Sequence, residues 1–358
     1  MKSVLVLGAG KIGRMVVHLL QRSGDWVVTV ADAQPAAATA CSDQEPGSTG
    51  VSFAFDDCHA LDRALRGQWA VVSCAPFHCN PLIAERARAA HVHYLDLTED
   101  VAVTKAVKSL AEGASTAFAP QCGLAPGFVT IAATALAAGL NPVTELRLRV
   151  GALPRYPNNA LKYNLTWSTA GLINEYCNPC EALHDGAAVL LPPLENLEHL
   201  TVDGVEYEAF NTSGGLGSLV ESLAGKVQRV NYKTIRYPGH AALMKFLLHD
   251  LAFRDHREEL ERVFERAIPA TSQDQCIVFV SAIGMEKGKL VKRTDARTIT
   301  DREMNGRHWT AIQVTTAAGI CAVLDLLAEG KVAQQGFVRM EDVRLSDFLA
   351  NRFGKLYA

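Results

Sequence analysis

Three glycines in Gly8-Ala9-Gly10-Lys11-Ile12-Gly13 follow directly on an unbroken apolar run, Val4 to Leu7. That spacing suits a pyrophosphate. Gly8 makes a tight turn, Gly10 lets backbone approach the phosphates, and Gly13 lets a helix pack closely on the strand before it. The helix that follows adds unpaired N–H groups and a partial positive charge. A second apolar run, Trp26 to Ala31, ends in Asp32. A carboxylate at that distance from the glycines accepts from ribose hydroxyls and repels a 2′-phosphate. Ala33, Gln34 and Pro35 supply no arginine to offset the repulsion. Residues 1–32 therefore read as a βαβ unit for a nicotinamide dinucleotide, NAD rather than NADP.

The elements that must position this loop follow from periodicity. Strands are expected over 51–55, 69–74, 93–96 and 115–119, and helices over 60–65 and 81–90, with Asn80 capping the second and Pro81 at its first turn. Near-continuous apolar strands separated by helices imply a doubly wound parallel sheet of Rossmann type. Ligands of such sheets lie at the strands' carboxyl ends. One crevice then gathers Gly8 to Gly13, Asp32, Ser73 to Phe77, Asp96, and Gln121 to Gly127.

Beyond Phe128 the pattern changes. After a helix over 131–138, period-two alternation dominates at 146–150, 163–167, 201–202, 205–209, 228–237, 276–280 and 307–314. Alternation implies a mainly antiparallel sheet with one covered face, an α+β domain against which helical segments around 240–266 pack. A small-residue apolar helix over 315–328 returns to the first domain. The expected domains are 1–123, an inserted 124–309, and a returning segment 310–358.

Composition narrows the class. The chain has 358 residues, 49% apolar and 20% charged, with a net charge of −3. No basic block points to nucleic acid or an anionic membrane surface, no signal peptide is evident, and the expected compartment is cytoplasmic. Nine cysteines, odd in number and irregularly spaced, fit reduced thiols. Cys177 and Cys180 form a CxxC without a second pair or a histidine pair to complete a zinc set. His91 and His93 share a strand face without a third ligand. No metal is assigned.

Several motifs together resemble the saccharopine dehydrogenase-like superfamily: the glycine loop, the run Val71 to Phe77, Tyr94-Leu95-Asp96, and Cys122-Gly123-Leu124-Ala125-Pro126-Gly127. In the middle of the chain, Gly151 to Pro154, Tyr163 to Ser168, Ile173 to Tyr176, Ala209 to Gly214 and Thr234 to His240 are similar to the lysine 6-dehydrogenase branch. Phe77 stands where relatives that reduce saccharopine carry tyrosine, and Ala152 where a second glycine is usual.

That resemblance implies NAD-dependent oxidative deamination of the lysine side-chain amine, giving 2-aminoadipate semialdehyde (which cyclises), ammonia and NADH. It also implies a homodimer or higher homo-oligomer acting on a small amino-acid substrate. The alternatives are a saccharopine-type or carboxynorspermidine-type dehydrogenase, or a non-catalytic NAD-binding sensor. The ε-amine, with a pKa near 10.4, must lose its proton before the adjacent carbon can give a hydride. Asp96 is a candidate to hold an ammonium or accept a proton; its alternative is a cap or loop bond. Cys122 is a candidate to line the nicotinamide pocket, and His240 to act as base, with packing and helix capping as their alternatives. Arg236 is a candidate to clamp the α-carboxylate, with a surface ion pair as its alternative. Tyr163, Trp167, Phe77 and Arg155 are further candidates for substrate contact, with core packing the alternative for Trp167. The cofactor set is Gly8, Gly10, Lys11, Ile12, Gly13, Asp32, Ser73, Ala75, Pro76, Gly123, Pro126 and Gly127.

Overall fold

Burial on both faces explains why the first strands hold so few polar residues. In the computed structural model, which describes all 358 residues, β1 (Lys2–Leu7), β2 (Trp26–Asp32), β3 (Thr49–Ser52), β4 (Ala70–Ser73), β5 (His93–Asp96) and β6 (Ala117–Ala119) pair in parallel. A short strand Gly336–Phe337 adds to β6, so the order is 336–337, β6, β5, β4, β1, β2, β3. This is the doubly wound arrangement, with its switch point between β1 and β4. Val4 to Leu7, Val71 and Tyr94 are wholly buried, and Leu61, Ile83, Val107 and Phe118 pack on them from helices and a neighbouring strand.

The chain divides into one unit of residues 1–128 with 313–358, and a second of residues 129–312. It passes from one to the other within helix Phe128–Ala137 and returns within helix Ala311–Ala328. The latter is long and apolar enough to cross a membrane by length and composition, and most of it is buried in the fold. Close packing explains its small residues. A Cβ on Gly319 would lie 2.6 Å from the Cys122 carbonyl oxygen.

The second unit is built on β7 (Val143–Pro154), β8 (Cys180–His184), β9 (Ala187–Leu191), β10 (Glu198–Val202), β11 (Val205–Asn211), β12 (Val227–Arg236), β13 (Asp274–Glu286) and β14 (Lys289–Thr300). The main order is β10, β11, β12, β7, β13, β14, and β8 joins β12 with β9 beside it. Only β7 with β12 is parallel. Helices Thr169–Cys177 and Arg257–Ala267 bury Leu172, Ile173, Leu260 and Phe264 in one cluster with Tyr163 and Phe210. Ile235 points the other way, into a separate cluster with Leu153, Tyr207, Ala209 and Ile277.

Three local expectations are corrected. Residues 163–167 form no strand: apart from one isolated bridge, Leu165 to Ala270, they are an irregular segment. Tyr163, Asn164, Leu165 and Thr166 are all buried, so the alternation of residue type marks no open face. The strand Arg307–Trp309 stops early, because helix Ala311–Ala328 starts where 310–314 was expected to stay extended. The buried Asp274 carboxylate accepts from the Ala311 and Ile312 N–H groups, a cap supplied from far back in the chain. Asn80 lies inside helix Asn80–Ala89 and does not cap it; its Oδ1 accepts from the Ser73 hydroxyl at 2.7 Å.

Candidate functional site

The glycine loop has the geometry its spacing demanded. Gly8 sits at φ 98°, and a Cβ there would come within 2.6 Å of the Cys74 carbonyl oxygen. A Cβ on Gly13 would overlap the Gly8 carbonyl oxygen. Gly10 differs: a Cβ there meets nothing within 4 Å, so the loop is open at the point where the helix begins. Helix Lys11–Ser23 carries no side-chain N-cap, and Lys11 is exposed with Ile12 half-buried beside it. An open cradle before uncapped N–H groups fits the diphosphate of a dinucleotide.

Asp32 ends β2 beside this loop. Its Oδ2 accepts from the Ala9 N–H at 2.7 Å and its Oδ1 from the Gln34 N–H at 2.8 Å. Each oxygen keeps a further lone pair, enough for ribose hydroxyls. At the end of β4, Ser73 is fully buried, whereas Ala75 is half-buried and Pro76 exposed. Phe77 opens a short 3-10 turn and packs on the first unit's core. Gly123, Pro126 and Gly127 form a buried turn closed by the Phe128 N–H on the Gly123 carbonyl.

Two of the proposed catalytic groups are corrected. Asp96 has no exposed surface. Its Oδ2 accepts from the Tyr94 hydroxyl, and its Oδ1 from the Thr98 and Gln121 N–H groups. Burial raises its pKa. It ties β5 to the turn after β6 from a position without solvent contact. The Cys122 thiol donates to the Ala119 carbonyl at 3.0 Å, and burial holds it well above the ordinary thiol range. Cys177 and Cys180 are likewise free, buried thiols, the second pushed up to about 12 by burial. Sequence reasoning passed over Glu99, just beyond β5, whose carboxyl desolvation pushes up to about 7; an acid so close to a strand's carboxyl end was the available signal.

In the second unit, Tyr163, Tyr176 and His240 lie around Arg236, and Phe210 packs on Tyr176 and His240. Arg236 ends β12 and shares a strand face with Thr234 and Tyr232. Only 2% of it is exposed. Its guanidinium lies 5.2 Å from the Tyr163 ring centre and 5.9 Å from that of Tyr176. Its Nε donates to the Tyr176 hydroxyl at 2.8 Å, and its Nη1 to the Ile235 carbonyl. No carboxylate lies within ion-pair distance of it; the buried Glu175, beside Tyr176 in the chain, acts on it only through space and raises its pKa. Glu208, opposite it in the β11–β12 register, is spent on the Gly239 and Ala241 N–H groups at 2.8 and 2.6 Å. The other buried cations of this unit, Arg149 and Lys233, both pair with Glu198.

His240 is not available as a base. Its Nδ1 faces the Leu161 carbonyl at 2.8 Å and its Nε2 the Tyr176 hydroxyl at 3.1 Å. Burial, with help from Arg236, pushes its pKa down to about 3, so the ring is neutral. Trp167 is half-buried at the rim of the same cluster. Arg155 is exposed, paired with Asp301 at 3.5 Å, and rests on Tyr156. Tyr176 and Glu208 were missed, because nothing in their local sequence separates a buried polar anchor from an ordinary helix or strand residue.

Residues 4–119 match the family model described as the saccharopine dehydrogenase NADP binding domain, and residues 123–355 that of the saccharopine dehydrogenase C-terminal domain. The chain is 26% identical over 200 residues to a saccharopine dehydrogenase (NADP(+), L-glutamate-forming) of Saccharomyces cerevisiae. That stretch is 52% of this chain and only 43% of the yeast protein. The solved apo histidine-tagged saccharopine dehydrogenase (L-Glu forming) from the same yeast superposes with a TM-score of 0.77 at 17% identity, covering 95% of this chain and 94% of that one. The architecture is shared at that level.

Proposed function

The chain belongs to the saccharopine dehydrogenase family, and from that premise we propose that it is an NAD-dependent dehydrogenase that oxidatively deaminates the side-chain amine of L-lysine. The observation that carries this reading is Arg236, a buried guanidinium with no carboxylate in direct contact. A buried charge left alone is costly, and a bidentate carboxylate from outside relieves that cost. The unit offers one such cation, a match to lysine's single carboxylate. Saccharopine, with three carboxylates, would call for further unpaired cations.

Nicotinamide dinucleotide, held by the glycine loop and Asp32, would supply the hydride acceptor. The carboxylate at Asp32 and the absence of arginine at 33–35 favour NAD over the NADP of the matching family description. The reaction balances as lysine, NAD and water giving the 6-aldehyde, ammonium, NADH and a proton. Arg236 binds and orients the amino acid by its carboxylate, and the rings of Tyr163, Tyr176 and Phe210 exclude water around that end. With Asp96, Cys122 and His240 all held by neighbouring groups, desolvation of the ammonium and the raised carboxyl of Glu99 are the routes left to its deprotonation.

NADH formation should be followed at alkaline pH with lysine, saccharopine, carboxynorspermidine and ornithine in parallel. Turnover of lysine is the expected result. Turnover of saccharopine in its place overturns the substrate, and dinucleotide binding without any turnover would favour a sensor.

A further inference from the structure

Arg236 is anchored through a chain of neutral groups that ends on backbone. Its Nε donates to the Tyr176 hydroxyl at 2.8 Å, that hydroxyl meets His240 Nε2 at 3.1 Å, and His240 Nδ1 meets the Leu161 carbonyl at 2.8 Å. The direction of every bond is forced. A guanidinium only donates, so the Tyr176 oxygen accepts from it; a carbonyl only accepts, so the imidazole proton sits on Nδ1. His240 Nε2 is then the acceptor for the hydroxyl proton. Each proton is used once and no group in the relay is charged except the arginine.

From this geometry we infer that Tyr176 and His240 are positioning residues that aim the fork of Arg236 at a substrate carboxylate without setting a carboxylate in contact with it. The inference rests on Arg236 being the carboxylate seat proposed above. An acidic anchor would also hold the side chain still, but it would spend the charge the ligand needs. Tyr176 supplies direction without that loss. Its ring, with Tyr163 at 5.2 Å from the guanidinium, blocks other orientations. His240 is fixed in turn by stacking on Phe210, with ring planes 11° apart. His240 matters only as an acceptor on one side and a donor on the other, so glutamine can stand in for it and leucine cannot.

The test is isothermal titration of the full chain, with NADH added, using L-lysine, saccharopine and 1,5-diaminopentane, the last lacking a carboxylate. Loss of one bond to a charged group is of the order of a tenfold change. Tyr176→Phe should therefore cut the preference for the acids over the diamine about tenfold. His240→Leu should do the same, and His240→Gln should restore most of it. If either damaging variant weakens acid and diamine in parallel, or if glutamine fails where leucine fails, the residues serve only the fold and the inference is overturned. Wild-type protein that binds saccharopine but not lysine removes the proposed substrate and leaves this inference standing. Wild-type protein that prefers no acid to the diamine removes both.

Discussion

His240 links the second unit's stability to pH in a direction that can be worked out. Its pKa is about 3 in the fold, against an ordinary value of 6.5. A depressed pKa means the fold holds the neutral ring more tightly than the charged one. The contribution is therefore complete above pH 6.5 and is lost as pH falls from 6.5 towards 3. At about 1.36 kcal/mol per unit, the full span amounts to about 5 kcal/mol, an upper figure because relaxation around a charged ring reduces it. His240→Gln keeps an acceptor for Tyr176 and a donor for Leu161 but does not titrate. Urea unfolding of both proteins, followed at several values between pH 7.5 and 4, isolates the term, since all other titrations cancel in the difference. The wild-type advantage should shrink by about 1 kcal/mol or more per pH unit below 6.5. A difference that stays flat from pH 7 to 4 would refute the neutral, buried imidazole and the relay built on it.

Asp32→Ala should raise the use of NADP relative to NAD, read as the ratio of kcat/KM values; an unmoved ratio removes Asp32 from the ribose site. Gly10→Ala should leave the melting temperature within a few degrees of wild type and weaken dinucleotide binding tenfold or more, because its Cβ enters open space that the phosphates need. Gly13→Ala should instead destabilise the first unit by several kcal/mol, because its Cβ overlaps the Gly8 carbonyl; the two variants behaving alike in a thermal melt would contradict this contrast. Cys122→Ala should retain turnover and lose about 1 kcal/mol of stability, whereas a hundredfold loss of kcat with unchanged folding would restore the thiol to the chemistry.

What the sequence disclosed follows the range of the interactions concerned. The glycine loop and Asp32 lie in one short stretch of chain and each parallel strand carries its own apolar run, so their glycine spacing and runs were legible. Asp96 was correctly placed at a strand's end, yet its role was not visible, because one of its partners is the Gln121 N–H, 25 positions away. The cap on helix Ala311–Ala328 comes from Asp274, and without it residues 310–314 read as extended. Tyr163 to Trp167 alternates like a strand in residue type, yet Tyr163, Asn164, Leu165 and Thr166 are all buried, and periodicity of type alone does not separate such a segment from a ladder. Arg236 was legible as a candidate. Its lack of a contacting carboxylate was not, since Glu208 is diverted to the turn after β12 by a geometry only the fold supplies.

The central claim is that hydride leaves the carbon bearing the side-chain amine of lysine. L-Lysine carrying two deuterons at C6 tests it directly when incubated with NAD and the full chain, with the reduced dinucleotide then isolated for mass spectrometry. The account predicts one deuteron on the reduced nicotinamide and one kept on the aldehyde carbon, with ammonia released. Reduced dinucleotide without deuterium would place the oxidation at another carbon and contradict it.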